Sequence, residues 1–198
     1  MRQELKINLY IVVASVLSLS FSSLCFSAEL SAKLVMFPGK TTSLKSPDGL
    51  HAVTDVDKGP KPDGEQQHEL YLRKTGAKGK VYLLSFNRCV DVGWRPDSTA
   101  FVVNDFAGCD LVNAYVYYIK DLKHRVDVSS CMLGAITDKK DKLNMSQSDN
   151  LYVSAVRWIN ADALEVRVQG YGGKGGGFTI FYEWDLKNKF KKLRRVDD

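Results

Sequence analysis

The feature that most constrains this chain is a proline turn set between apolar strands, and it occurs twice. Val92-Gly93-Trp94 leads into Arg95-Pro96-Asp97-Ser98, and the run Thr99 to Asp105 leaves it. Pro96 presets the backbone for the second turn position, and Asp97 and Ser98 offer side-chain oxygens that close the turn locally, so the chain reverses between two strands. Two further runs follow, Ala114 to Ile119 and the short Arg125-Val126-Asp127-Val128. Residues 88–128 therefore read as a four-strand meander. The turn also stands 49 positions earlier, counted from Pro96 back to Pro47, as Ser46-Pro47-Asp48-Gly49. Strands are predicted after it at 50–56, 69–73 and 80–84, with the polar link Lys58 to Gln67 as a surface loop. A third unit begins at Tyr152 and runs to Trp158, where Ile159-Asn160-Ala161-Asp162 replaces the proline turn. Leu164–Val168, Phe178–Trp184 and Phe190–Val196 complete it.

Three units of roughly 40–50 residues with four strands each predict an all-β chain of three four-stranded antiparallel meander sheets, stacked as propeller-like blades. The units cover 41–84, 88–128 and 152–196. Lys33 to Phe37, stopped by Pro38-Gly39, reads as a lead-in strand, and residues 134–150 read as a polar, mobile connection. No stretch has sustained helical periodicity with start and stop signals. In the first unit Leu50, Ala52 and Val56 share the expected core face, with His51 and Asp55 opposite; Glu69 and Arg73 oppose Leu70 and Leu72. In the third, Leu164, Val166 and Val168 oppose Glu165, Arg167 and Gln169, which are expected in water. The middle unit is apolar on both faces. A sheet covered twice, between two sheets covered once, is an open stack.

The turns at 94–98 and 46–49, each followed by an apolar strand, resemble the WD-like repeats of TolB-type β-propellers. A similar repeat recurs in the propeller domains of prolyl-oligopeptidase-like enzymes. The resemblance covers residues 41–128 well and 152–196 loosely, and Lys45 stands where the second unit has Trp94. It implies blade-like sheets that serve as a platform for partners, without implying a chemistry. Closed propellers have at least about four blades. Three units again predict an open stack.

The N-terminus reads as a secretory signal. Arg2 and Lys6 precede an uncharged run from Ile7 to Phe26, closed by Ser27 and Ala28. Cleavage after Ser27 fits the small-residue rule better than cleavage after Ala28. The division is then a signal peptide at 1–28 and a single domain at 29–198, placed in the periplasm or secreted. The alternative is a membrane anchor through an uncleaved N-terminus. Removing Arg2, Glu4 and Lys6 with the leader takes the net charge from +5 to +4. That mild basicity permits a protein or anionic envelope polymer as partner. No nucleic-acid reader module is present.

Three cysteines remain, and an oxidising compartment predicts one disulfide and one free thiol. Cys89, Cys109 and Cys131 all fall at one edge of the central meander. Cys89–Cys109 is the expected pair, with Cys109–Cys131 as alternative. Metal binding is not expected, for no CxxC and no histidine lies near them.

Gly170-Tyr171-Gly172-Gly173-Lys174-Gly175 matches GxGxxG by letter, but a strand rather than a helix follows, so no cofactor is expected. His51, His68 and His124 sit in no catalytic motif and read as exposed. Asp105 and Asp110 are the nearest candidates for a carboxylate pair. Cationic residues crowd the end of the chain, and Lys174, Lys189, Lys191, Lys192, Arg194 and Arg195 are the candidate partner-binding residues. The favoured reading is a non-catalytic exported binding module, and the alternative is a small exported hydrolase with carboxylates at a loop edge.

Overall fold

The computed structural model describes residues 33–108, 112–187 and 189–197. The expected signal segment 1–28 lies outside the described residues, as do Cys109 and Asp110. A lead-in strand, β1 (Val35–Phe37), precedes three antiparallel sheets. The first holds β2 (Ser43–Lys45), β3 (His51–Pro60), β4 (Gln66–Lys74) and β5 (Lys80–Phe86). The second holds β6 (Val90–Trp94), β7 (Ala100–Asp105), β8 (Asn113–Tyr118) and β9 (Asp121–Asp127). β1 joins it beside β6, from Val35↔Val92 to Phe37↔Val90, so this sheet has five strands where four were expected. The third holds β10 (Asn150–Asn160), β11 (Ala163–Tyr171), β12 (Phe178–Trp184) and β13 (Phe190–Asp197). Within each sheet the numbered strands lie side by side in chain order, which is the meander expected from turns between neighbouring strands.

The middle sheet is covered on both faces. Val92, Trp94, Phe101 and Val103 pack against Val53, Leu70 and Leu72 of the first sheet. From the opposite face, Ala100, Val102, Ala114 and Val116 pack against Val166, Val168 and Ile180 of the third. Among the described residues no core cluster joins the first sheet to the third. The molecule is an open stack of three blade-like sheets.

Tryptophans set the spacing of the stack. Trp94 Nε1 donates to the Leu44 carbonyl at 3.1 Å, and Trp158 Nε1 donates to the Gly93 carbonyl at 3.0 Å. Leu44 precedes Lys45 just as Gly93 precedes Trp94, so each indole reaches the equivalent carbonyl one sheet back. Buried Trp satisfies its N–H while its ring fills the inter-sheet space. Among the described residues no sheet precedes the first, and Lys45 is exposed. The turns are tied as well, with Asp48 N donating to Ser98 Oγ at 3.0 Å and Arg95 Nη2 lying 3.7 Å from Asp162 Oδ1.

Several expectations are corrected. Residues 134–150 are not simply a connection. Helix α1 (Val128–Ala135) is capped by Asp127, whose side chain accepts from Ser130 N, and α2 (Lys139–Gln147) by Asp138, accepting from Asp141 N. Each buries only two residues, too few to imprint a periodicity on the sequence. The core face of β3 carries Val53 and Asp55, not Leu50, Ala52 and Val56; Leu50 is 56% exposed. Asp55 is admitted there because His68 Nδ1 lies 3.0 Å from its Oδ1, with the imidazole stacked on Phe86. His68 is therefore buried rather than exposed. Glu165 is on the face expected, but it is 1% exposed because Arg157 Nε (2.7 Å) and Arg194 Nη2 (2.8 Å) cover it.

Candidate functional site: a cleft at the edge of the third sheet

The edge of the stack opposite the proline turns gathers the chemistry. There β6 begins, β7 ends and β8 begins, and beside them β10 begins and β11 ends. Strand alternation sends Tyr152 and Ser154 of β10 to one face of the third sheet. Arg167, Gln169 and Tyr171 of β11 share it, through the register Tyr152↔Gln169 and Ser154↔Arg167. Phe106, Gly108 and Val112, from the connection between β7 and β8, form the facing wall of a cleft of about 320 Å³. Phe106 N donates to the Cys89 carbonyl at 3.1 Å, which holds this wall to the start of β6.

The polar groups are fixed by one another. Gln169 Nε2 donates to Tyr171 Oη at 3.1 Å and to Thr179 Oγ1 at 3.3 Å, and Arg167 Nε donates to Ser154 Oγ at 3.2 Å. Tyr152 and Tyr171 meet edge to face with ring centroids 5.9 Å apart. Burial pushes the Asp91 carboxyl of β6 above its ordinary value, and the positive charge of Arg167 opposes that shift. Burial likewise raises Asp105, with Arg125 opposing. Val90↔Asp105 and Asp91↔Asn104 are paired in register, so Asp91 and Asp105 point to opposite faces of the second sheet. They are not a catalytic pair, and no described carboxylate lines the cleft.

The glycine-rich segment beside the cleft is a packed hairpin loop between β11 and β12. A Cβ on Gly173, at φ +61°, would stand 2.0 Å from the Gln147 carbonyl oxygen, and one on Gly170 would stand 2.4 Å from the Phe178 ring. β12 follows it, not a helix, so a phosphate-cradling architecture is missing. Lys174 is exposed within this loop.

The structure divides the other candidate cations. Lys192 Nζ and Arg195 Nη1 turn inward to the buried Asp141 of α2, at 2.7 and 2.9 Å. Arg194 turns to the opposite face, where it pairs with Glu165 and lies over the Phe181 ring, 3.6 Å from its centroid. Lys189 and Lys191 are exposed. The Cys89 and Cys131 thiols are half-buried and not bonded to each other; burial, with Asp91 adding to it, pushes Cys89 up. Their expected partner, Cys109, lies outside the described residues. His51 is half-buried, and His124 is exposed beside Asp121 at 2.9 Å. The cleft residues themselves were not singled out from sequence. Alternation places Arg167 and Gln169 on one face, but the facing wall exists only through sheet stacking.

No protein-family model matches the chain, and no curated protein does. Solved structures with a similar fold include the β-propeller domain of the Trilobed protease from Pyrococcus furiosus, which is described as having an open velcro topology. Identity is 12%, the alignment covers 80% of this chain and 43% of that one, and the TM-score is 0.49. TolB from Acinetobacter baumannii is similar at 10% identity, over 80% of this chain and 34% of that one, with a TM-score of 0.43. The chain thus spans less than half the length of either.

Proposed function

We propose that the chain is an exported, non-catalytic binding module that holds a protein or anionic envelope polymer in the cleft between its β7–β8 connection and the outer face of its third sheet. One observation carries this reading: the cleft unites the exposed ring of Tyr171 and the half-buried rings of Tyr152 and Phe106 with polar groups locked by mutual hydrogen bonds, and its described lining contains no carboxylate. Concave sites of this size with a few fixed polar groups are recognition sites. Affinity capture from intact envelopes tests it. Wild-type protein should recover a partner that Tyr171→Ala, at a residue already 40% exposed, depletes at least tenfold. Equal recovery by both proteins overturns the site.

Export and oxidation belong to the same proposal. No described helix is long and apolar enough to cross a membrane. The intact mass of the exported protein should lack the first 27 or 28 residues, and a membrane-fractionating species that retains Met1 refutes export. Cys109 follows Phe106 by three positions, and Phe106 is bonded to Cys89, so Cys89–Cys109 is the pairing favoured here. Thiol titration of denatured, unreduced protein should find one free group among the three mature cysteines. Three free groups would exclude any disulfide.

A further inference from the structure

The cleft continues onto the outer face of the third sheet, which no other described sheet covers. Register lays that face out in rungs across the four strands. Next to the cleft rung runs Ser154, Arg167, Phe181, Arg194, and beyond it runs Arg157, Glu165, Glu183, Lys191. Four cations stand against two carboxylates, a net charge of +2. One of those carboxylates is silenced, because Glu165 is buried and both its oxygens face arginine. The side chains of Arg157 and Arg194 remain 53% and 50% exposed, with guanidinium donors beyond those that engage Glu165.

We infer that the occupant is an acidic polypeptide segment, which seats one bulky side chain in the cleft and lays its carboxylates over Arg167, Arg194 and Lys191. This rests on the binding-module reading above and narrows its partner class. Guanidinium forks match carboxylates and are weakly hydrated, so they bind them at modest desolvation cost. Tyrosine and arginine are the residues that dominate protein–protein hot spots. Here Tyr152 and Tyr171 stand at one end of the surface, and the Arg194–Phe181 stack lies beside Arg167, with Phe181 as its direct cross-strand partner.

The test uses the mature full chain and three labelled probes: a glutamate–tyrosine random copolymer, polygalacturonate, and phosphatidylglycerol vesicles. The copolymer should bind with an affinity that falls as salt rises. Arg167→Gln combined with Lys191→Gln should weaken it at least tenfold, and the other two probes should bind at least tenfold more weakly. Arg194 is left in place because its loss strands the buried Glu165, and matching thermal unfolding of variant and wild type excludes a folding defect. Equal or tighter binding of polygalacturonate or vesicles overturns the polypeptide assignment while leaving a binding module. Copolymer binding that ignores the double substitution overturns the surface. Binding of none of the three also overturns the inference, and Tyr171-dependent capture from envelopes then shows whether the module reading survives alone.

Discussion

Asp141 clamps α2 onto the third sheet, beside the apolar contact of Met145. Its carboxylate is fully buried and accepts from Lys192 Nζ at 2.7 Å, Arg195 Nη1 at 2.9 Å and Tyr182 Oη at 2.9 Å. Burial alone would push its pKa up. The bonds from Lys192 and Tyr182, with the Lys192 charge and the Arg195 bond, outweigh that and hold it below the usual carboxylate value. A folded pKa below the unfolded one, near about 3.9, means the unfolded chain binds more protons as the solution is acidified. The contribution is complete above about pH 4 and is lost as pH falls through the depressed folded value. Asp141→Asn should therefore cost about 3 kcal/mol in urea unfolding at pH 7, the low end for breaking a buried pair because Lys192 keeps partial access to water. Wild type and variant should converge in acid, and equal stability at pH 7 refutes the clamp. The cationic run that supplies Lys192 and Arg195 is plain in the sequence. Its division between two faces is not, because Phe181↔Arg194 and Tyr182↔Lys192 leave Leu193 as an extra residue. That bulge resets the alternation without a sequence mark.

At the scale of elements, the exposed edge of β10 has to be closed for the third sheet to dock. Asn104, buried in β7, does this by imitating a strand. Its Nδ2 donates to the Ala155 carbonyl at 2.8 Å, and its Oδ1 accepts from Ala155 N at 2.8 Å. A bare edge would leave that N–H and C=O buried and unpaired. Asn104→Ala should cost about 2–4 kcal/mol, since it strands two backbone groups at once. The Ala155 amide should change from slow to fast hydrogen exchange; an amide that stays protected at wild-type stability would show the cap to be dispensable. From sequence, the run that leaves the proline turn ends at Asp105, and the strand does end there. What Asn104 meets across the sheet interface leaves no local trace. The strands were legible because the proline turns and period-2 runs are local signals. The two helices were not: their caps, Asp127 and Asp138, are single residues, and each helix buries only two side chains.

For the whole molecule, openness is written into both ends of the stack. To repeat the contact that links the sheets, an indole at position 45 would have to donate to the Arg157 carbonyl, the counterpart of Leu44 and Gly93, and the chain has an exposed Lys45 there. At the other end Arg157 and Arg194 cover Glu165 from within their own sheet. The one-sided strands of the first and third units foretold the openness. The faces of β3 were misassigned because a buried His68–Asp55 pair breaks the rule that charge points outward. An open stack is a nearest-neighbour system: among the described residues the cores of the first and third sheets meet only through the second, across two inter-sheet spacings of about 10 Å each. Val53 belongs to the core between the first two sheets, and Ile180 to the core between the last two. Val53→Ala removes two methyl groups, worth about 1.6 kcal/mol before any cavity cost, and Ile180→Val costs about 0.5–1.5 kcal/mol. Residues this far apart with no shared partner add within about 0.5 kcal/mol. The double substitution, measured by urea unfolding with both single variants, should therefore show the plain sum. In a ring the outer sheets would share a third interface, and loosening both would be felt jointly there. A coupling energy well above about 0.5 kcal/mol would mean that the first and third sheets touch in solution and that the stack closes.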